Sequence, residues 1–202
     1  CLPAKAQRRR SPPSCSTWPN GWPRRNPCRP AGRSTFSTTA IDRVAPERAR
    51  IVAETAAYAG TDLVCYRAEG PSPLVRRQAE IWDPLIDWVR ERFDVSLVTA
   101  SGVMAIPQSE PGLAALGRVV EAQDELRLTA LSVATGAAGS LVVGLDLLEG
   151  KLTPEEAAAA AQLDELYQAE RWGVDKEAAA RRAAQAADLA YARRFLDLLE
   201  AG

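Results

Sequence analysis

The side chains best suited to chemistry are concentrated in residues 163–173, which read LDELYQAERWG and combine acids, an amide and a tryptophan. The TPEE sequence at residues 153–156 has an N-cap hydroxyl, a proline at the first helical position and a glutamate at N3. This capping box predicts a helix that begins at the proline. Gly173 can end that helix, and Asp175 can cap the following one. We therefore expect one helix to present these side chains, with Trp172 on its last turn.

The predicted helix 154–172 has a mixed polar and aromatic face. Helical spacing gives two neighbouring stripes: Asp164, Gln168 and Arg171 form one, and Glu165, Ala169 and Trp172 form the other. A large aromatic residue flanked by carboxylates is typical of protein-binding surfaces, where tryptophan is enriched among the strongest contacts. A tryptophan at a helix end is more often partly buried, so we expect Trp172 to contribute mainly to the core and partly to binding.

The sequence contains no histidine, which removes the usual general base, the commonest metal ligand and the Ser-His and Cys-His nucleophile arrangements. Cys65, near Asp62, has no histidine to activate it, and we expect it to be a small buried hydrophobic residue. Gly150 and Lys151 lack the upstream glycine of a phosphate loop, and residues 136–139 match no dinucleotide fingerprint. The sequence therefore predicts no cofactor, nucleotide or metal site.

Charge separates the first 35 residues from the rest. Residues 1–35 hold eight basic residues and no acid, which leaves 17 basic against 26 acidic residues in 36–202. An acidic surface repels phosphates, so the sequence argues against nucleic acid and favours a protein partner. The longest apolar run, residues 141–148, is shorter than the roughly 20 residues of a membrane helix and is interrupted by Gly144 and Asp146. Membrane insertion is not predicted.

Residues 1–35 also contain seven of the 14 prolines and three of the four cysteines, without apolar periodicity. Such a segment cannot form a core of its own. It is compatible with an acid-free transit peptide, a disordered basic arm, or a sequence that is not the protein's own. The cysteine spacing shows no CxxC pair, so neither zinc nor a disulfide framework is predicted, and a reducing compartment is favoured.

Residues 36–108 are predicted to form a small domain that mixes helices and short strands. One helix should run from Pro46 to Tyr58, and a second should start at Ser72. The second helix should kink or restart with Asp83 as cap and Pro84 at the first position, so that Trp82, Leu85 and Trp88 line the joint. The run 61–67 fits a strand or an extended connector, and 94–107 fits one or two short strands.

Residues 109–202 are predicted to form an α-helical domain, because the strand signals stop and glycines separate helical segments. Five helices are expected, over residues 111–121, 124–135, 140–149, 154–172 and 176–200. In the last of them a single apolar stripe should face the core, formed by Ala184, Ala187, Tyr191, Phe195 and Leu198. The fold class expected for the chain is α+β, mainly α, with a small β-containing N-terminal domain followed by an α-helical C-terminal domain.

Four short motifs, in order along residues 36–202, resemble the signatures of the ATP synthase assembly chaperone family of mitochondria and alphaproteobacteria. They are Thr39-Ala40-Ile41-Asp42-Arg43, Thr61-Asp62, Gln78 with Trp82-Asp83-Pro84-Leu85, and Leu163-Asp164-Glu165 with Gln168, Glu170 and Trp172-Gly173. The resemblance implies a chaperone without ATPase activity that binds the free alpha subunit of the catalytic head until the beta subunit pairs with it.

The resemblance also implies where the chain acts. Its acidic and aromatic positions form the expected partner-binding site, with Glu165 and Glu170 as the foremost candidates; the set is Asp164, Glu165, Gln168, Glu170 and Trp172. Trp82, Asp83 and Pro84 are the expected structural motif. A monomer in the bacterial cytoplasm is expected, with the mitochondrial matrix as the alternative location.

At its front the chain departs from the family pattern, which has a strand-forming segment with an LDGRP-type turn and then a helix ending in an acidic-tryptophan pair. Against that pattern, the β-containing N-terminal domain is expected to be truncated or altered here. We interpret residues 7–35 as a frameshifted or truncated leader. Two other classes of function stay open at this point. A generic helical adaptor would lack selectivity for the synthase, and a small carboxylate-dependent enzyme would need a pocket with strongly perturbed acids.

Overall fold

The computed structural model describes residue 44 and residues 46–102, 104 and 106–201. The predictions for residues 1–35 and for the motif at residues 39–43 lie outside this part. The predicted division between residues 108 and 109 stays a prediction.

Short strands and helices alternate in the first half of the described chain. Helix α1 (Arg48–Ala57) is followed by 3-10 turns at Tyr58–Thr61 and Leu63–Cys65 and by strand β1 (Tyr66–Arg67). Helix α2 (Ser72–Phe93) and strand β2 (Ala100–Ser101) come next. The two strands are parallel, with Tyr66 opposite Ala100 and Arg67 opposite Ser101. The expected β-containing part is therefore present as a small two-stranded sheet.

Helix α2 runs through Pro84 without restarting, so the predicted alternative of a new helix capped by Asp83 is wrong, and the alternative of a kink at Pro84 stays a prediction. Proline inside a helix removes one backbone hydrogen bond and costs about 3 kcal/mol. Burial on both sides of the proline offsets this cost: Trp82 is fully buried and Leu85 almost so, and each large apolar side chain contributes about 1.5–3 kcal/mol. Asp83 instead forms an ion pair with Arg67, at 2.8 Å.

The second half of the described chain is helical, as predicted. Its helices are α3 (Glu110–Glu121), α4 (Glu125–Ala138), α5 (Leu141–Leu148), α6 (Pro154–Ala161), α7 (Leu163–Trp172) and α8 (Lys176–Glu200). Every residue of α5 is buried, and α4 packs extensively against both α5 and α8. This confirms the expected fold class, mainly α with a small β part.

Close packing between α4 and α5 depends on a glycine. A Cβ atom added at Gly144 would lie 2.5 Å from Thr135 Oγ1 and 3.3 Å from the backbone nitrogen of Thr135. Real Cβ atoms do not approach other atoms so closely, so the helices can meet here only because Gly144 has no side chain.

The segment predicted as one helix over 154–172 is two helices that meet at Gln162. The capping box is confirmed at its start, since the Thr153 side chain accepts from the Glu156 N–H and the Glu156 carboxylate from the Thr153 N–H. Gln162 leaves helical geometry, with φ −109° and ψ 13°, and its Nε2 donates to the carbonyl of Arg182 in α8 at 2.8 Å. No residue type near Gln162 indicates a helix end in the sequence, because the break depends on this tertiary contact.

The core stripe of α8 differs from the predicted one. Its buried residues are Leu189, Ala192, Phe195 and Leu196. Of the predicted stripe, Phe195 is buried but Ala184 is exposed and Tyr191 is 39% exposed. The alanine-rich first half of α8 has weak apolar contrast, so the sequence does not fix which line of this helix faces the core.

Within the described residues, no helix is both long and apolar enough to cross a membrane.

Candidate partner-binding face

Helix α7 carries all five side chains predicted to bind a partner. Leu163 and Tyr167, four residues apart, are buried and fix the helix against the rest of the molecule. Asp164 is half-buried at the first turn. The remaining predicted residues are exposed: Glu165, Gln168, Glu170 and Trp172. The structure therefore places the predicted set on one helix, but not in one environment.

Trp172 projects from the end of α7 with 78% of its surface exposed. It lies five residues after Tyr167, which is about 140° around a helix and away from the buried line. Gly173 follows with φ +94°, and Val174 beyond it is 67% exposed. The expectation that Trp172 belongs mainly to the core is therefore wrong. Two apolar side chains, two positions apart in the chain, are exposed here instead.

The two foremost acidic candidates are paired with arginines of other helices. Both carboxylate oxygens of Glu170 lie 2.9 Å from Nη1 of Arg77 in α2. Glu165 Oε2 lies 3.4 Å from Nη1 of Arg182 in α8. Exposed ion pairs contribute about 0–1 kcal/mol to stability, so these contacts orient the side chains more than they hold the fold. Neither acid offers an unpaired charge to a partner.

Asp164 takes part in a hydrogen-bond chain inside the molecule. Nε2 of the buried Gln78 donates to Asp164 Oδ1 at 2.7 Å, and Gln78 Oε1 accepts from the backbone N–H of Ala68 at 2.8 Å. Two of the four sequence motifs, which lie far apart in the chain, thus contact one another. These two hydrogen bonds join α7, α2 and the segment that follows β1.

The Trp82-Asp83-Pro84 motif lies on the same helix as Gln78 and also contacts the α6–α7 region. The indole Nε1 of Trp82 donates to the carbonyl of Ala160, the next-to-last residue of α6, at 2.9 Å. The guanidinium of Arg67 lies 5.2 Å from the centroid of the Trp82 ring and pairs with Asp83. The motif therefore positions the α6–α7 junction against α2. Within the motif Trp82 is buried, whereas Asp83 and Pro84 are exposed, as Trp172 is.

A cleft of about 390 Å³ separates α7 from the beginning of α8. One wall belongs to α7 and includes Trp172, and the other belongs to α8. The lining residues are Glu165, Gln168, Ala169, Trp172, Gly173, Asp175, Ala178, Arg181 and Arg182. Asp175 caps α8 as predicted, since its Oδ1 accepts from the Ala178 N–H at 2.7 Å. Arg181 and Arg182 are not among the predicted site residues, because arginines in an alanine-rich helix are typical of a solvated face.

Asp62 is a buried carboxylate that caps α5 from outside that helix. It accepts from Ser140 Oγ at 2.5 Å and from the Val142 N–H at 3.0 Å. Burial raises the pKa of Asp62 to about 6, and the hydrogen bonds from Ser140 and Val142 limit the rise. The sequence identifies Thr61-Asp62 only as a family motif; in the structure, Asp62 caps the N-terminus of α5.

Asp146 is fully buried in α5, and both of its carboxylate oxygens lack a hydrogen-bond partner among the described residues. Burial raises its pKa to about 8; nearby Lys151 opposes the rise and Asp62 adds to it. The expectation for Cys65 is confirmed: it is a free, fully buried thiol whose pKa is raised to about 12 by burial and by Asp62. Across the described residues, no three Cys, Asp or Glu side chains are arranged to hold a metal ion.

Comparison with known proteins places this fold among chaperones. A family model described as ATP12 chaperone protein matches residues 34–90. Atp12p from Paracoccus denitrificans is 40% identical with a TM-score of 0.79, over 81% of this chain and 70% of that one. A variant of the same protein gives 40% identity and a TM-score of 0.80, over 82% of this chain and 71% of that one. The chain therefore belongs to the ATP12 chaperone family, which confirms the resemblance seen in the sequence.

A further solved structure, the Atu1473 protein of Agrobacterium tumefaciens, is 38% identical with a TM-score of 0.77. The match covers 82% of this chain and 62% of that protein. These shares mean that this chain spans only part of the length of its structural relatives.

Proposed function

We propose that this protein is an assembly chaperone of the F-type ATP synthase that binds the free alpha subunit until the beta subunit pairs with it. Membership of the ATP12 chaperone family supports the chaperone class. The single observation that supports a binding surface on α7 is the 78% exposure of Trp172. A large exposed aromatic side chain, two positions before a second exposed apolar residue, Val174, is typical of a surface that a partner covers.

The proposed binding face consists of the predicted α7 residues together with the cleft. Trp172 is the anchor, and Gln168 offers an adaptable amide beside it. Glu165 and Glu170 flank the anchor on the sides of α8 and α2. Asp164 lies at the inner edge of the face, where its bond to Gln78 fixes the helix. The whole set is Asp164, Glu165, Gln168, Glu170 and Trp172.

Capture of an exposed subunit interface needs complementary surface and no nucleotide chemistry. We therefore propose that the protein acts without ATP hydrolysis and as a monomer. The acidic balance of residues 36–202 favours a protein partner over nucleic acid. The proposed location is the bacterial cytoplasm, with the mitochondrial matrix as the alternative.

The test is suppression of aggregation of isolated alpha subunit, followed by light scattering without ATP. We expect a stoichiometric amount of this protein to prevent most of the scattering and Trp172→Ala to be much less effective. Glu91→Lys, which changes an exposed acid on α2, is the matched control and should act like the parent. Unchanged scattering at a stoichiometric excess of the parent protein would refute the proposal.

A pull-down from cell extract distinguishes the remaining classes of function. The chaperone proposal requires the alpha subunit as the main stoichiometric partner. Capture of many unrelated proteins at similar levels, with no preference for the alpha subunit, would support a generic adaptor instead.

A further inference from the structure

The cleft beside Trp172 is electrically balanced, although the chain around it is acidic. Two acids and two arginines line it: Glu165, Asp175, Arg181 and Arg182. Glu165 is paired with Arg182, and the carboxylate of Asp175 is occupied by the backbone at the start of α8. A basic partner segment would therefore find no unpaired acid in the cleft, and entering it would require breaking contacts already made.

The neighbouring charges are also occupied within the chain. Glu170 turns away from the cleft toward Arg77 in α2. The guanidinium of Arg171 lies 5.1 Å from the centroid of the Tyr167 ring, over the aromatic face. Gln168 and Arg181 are the polar lining groups without a hydrogen bond or ion pair among the described residues, and Trp172 is the one large apolar side chain of the lining. Val174, which is also exposed, lies between the lining residues Gly173 and Asp175 in the chain.

We infer that this cleft binds an apolar segment of the alpha subunit, with Trp172 of the lining as its anchor and the exposed Val174 as a second contact outside the lining. The inference rests on the proposed function, which supplies the identity of the partner. Surfaces that become permanent subunit interfaces are rich in apolar residues and poor in charge at their centre. An unassembled subunit exposes such a surface, and a neutral cleft with an aromatic wall is complementary to it. Apolar burial, and not ion pairing, drives binding at this site.

If apolar burial drives binding, the affinity for the alpha subunit should depend only weakly on salt concentration. Salt screens interactions between exposed charges, whereas apolar burial is little affected at moderate ionic strength. We expect the Kd for labelled alpha subunit to change by less than about threefold between about 50 and about 500 mM NaCl. Trp172→Ala should raise the Kd by about 30-fold or more, as for a dominant interface residue. Val174→Ser should raise it by a smaller factor.

Met104 provides a matched control for these substitutions. It is as exposed as Trp172, at 78%, but lies after β2 and not on the cleft. Met104→Ala should bind the alpha subunit like the parent protein. Thermal melting of each variant establishes that the loss of binding is not a loss of folding, since all three positions are exposed.

The outcomes separate this inference from the function on which it rests. If the parent protein binds the alpha subunit but its Kd rises more than about tenfold with salt, and Trp172→Ala binds normally, binding is ionic and the inference fails alone. If the parent protein does not bind the alpha subunit, both fail. Sedimentation showing that Trp172 joins two copies of this chain, with Trp172→Ala monomeric, would also overturn the inference.

Discussion

Gln78 and Asp164, separated by 86 positions in the chain, are joined by a hydrogen bond of 2.7 Å. Gln78 is buried and uses both ends of its amide, accepting from Ala68 while it donates to Asp164. The bond ties α7, and with it the proposed binding face, to the longest helix of the first half of the described chain. The orientation of the proposed binding face is therefore set in part by Gln78, which is itself buried.

Replacement of Gln78 by leucine should destabilise the fold by about 1–3 kcal/mol, because the substitution leaves the Ala68 N–H and the half-buried Asp164 without their partner. Urea unfolding measures the loss. Gln168→Leu, on the exposed side of α7, is the control and should change the free energy of unfolding by no more than about 0.5 kcal/mol. Equal effects of the two substitutions would contradict the assigned role.

Two tryptophans should respond in opposite ways to truncation. Trp82→Ala should cost about 3–5 kcal/mol, since Trp82 is fully buried and donates to Ala160. Trp172→Ala should change stability by at most about 0.5 kcal/mol and act on binding alone. Thermal or urea unfolding of the two variants provides the comparison. A multi-kilocalorie loss in the Trp172 variant would show that this side chain packs in solution.

Gly144→Ala should destabilise the protein by about 1–3 kcal/mol, because the new methyl group collides with Thr135. Alanine is intrinsically the better helix former by about 1 kcal/mol, so the sign of the effect reports the collision. Gly117→Ala in α3 is the matched control, since a Cβ atom there meets nothing within 4 Å. We expect that control to stabilise the protein slightly. Urea unfolding of both variants decides between them.

Stability should depend on pH through Asp146, whose pKa is raised from 3.8 to about 8. Between these values the folded state keeps a proton that the unfolded state releases, so stability falls as pH rises from about 4 to about 8. The slope can reach about 1.4 kcal/mol per pH unit. Asp62, with its pKa raised to about 6, adds to the fall over a narrower range.

Asp146→Asn removes the larger of these contributions. The variant should be more stable than the parent at pH 8, and the advantage should shrink as the pH is lowered toward 5. Urea unfolding at unit pH intervals gives the difference curve. A difference that is constant with pH would mean that Asp146 titrates normally in the folded protein.

Glu170→Lys should weaken binding of the alpha subunit by about tenfold, because it places a cation beside Arg77 and disturbs the charge balance of the face. The double replacement Arg77→Glu with Glu170→Lys rebuilds the pair with its charges exchanged. We expect it to restore most of the binding, as measured by titration of labelled alpha subunit. Failure of the exchange, in a normally folded protein, would show that the carboxylate of Glu170 contacts the partner itself.

Local signals in the sequence were sufficient where a structure depends on neighbouring residues. The capping box at Thr153 and the cap at Asp175 involve groups three residues apart, and both are present. The burial of Cys65 also followed from chemistry available in the sequence. The two caps were predictable because each is a hydrogen bond between a side chain and a backbone N–H only three residues away.

The errors concern residues whose state is set by distant partners. Pro84 remains inside α2 because buried side chains on both sides hold the helix, and Gln162 divides α6 from α7 through its contact with Arg182. Trp172 is exposed because packing against the rest of the molecule buries the side of α7 that carries Leu163 and Tyr167, and Trp172 lies about 140° around the helix from Tyr167. The arginines that neutralise Glu165 and Glu170 come from other helices, and no local pattern identifies them.

The cap that Asp62 supplies to α5 restricts how the protein can be divided. Ser140 and Val142 receive their acidic partner from a residue about eighty positions earlier in the chain. A fragment that begins after Asp62 would leave the Val142 N–H, at the start of the fully buried helix α5, without its acceptor. Designs that transplant the helical half, including α5, to another scaffold must therefore bring along this early segment or replace the carboxylate of Asp62.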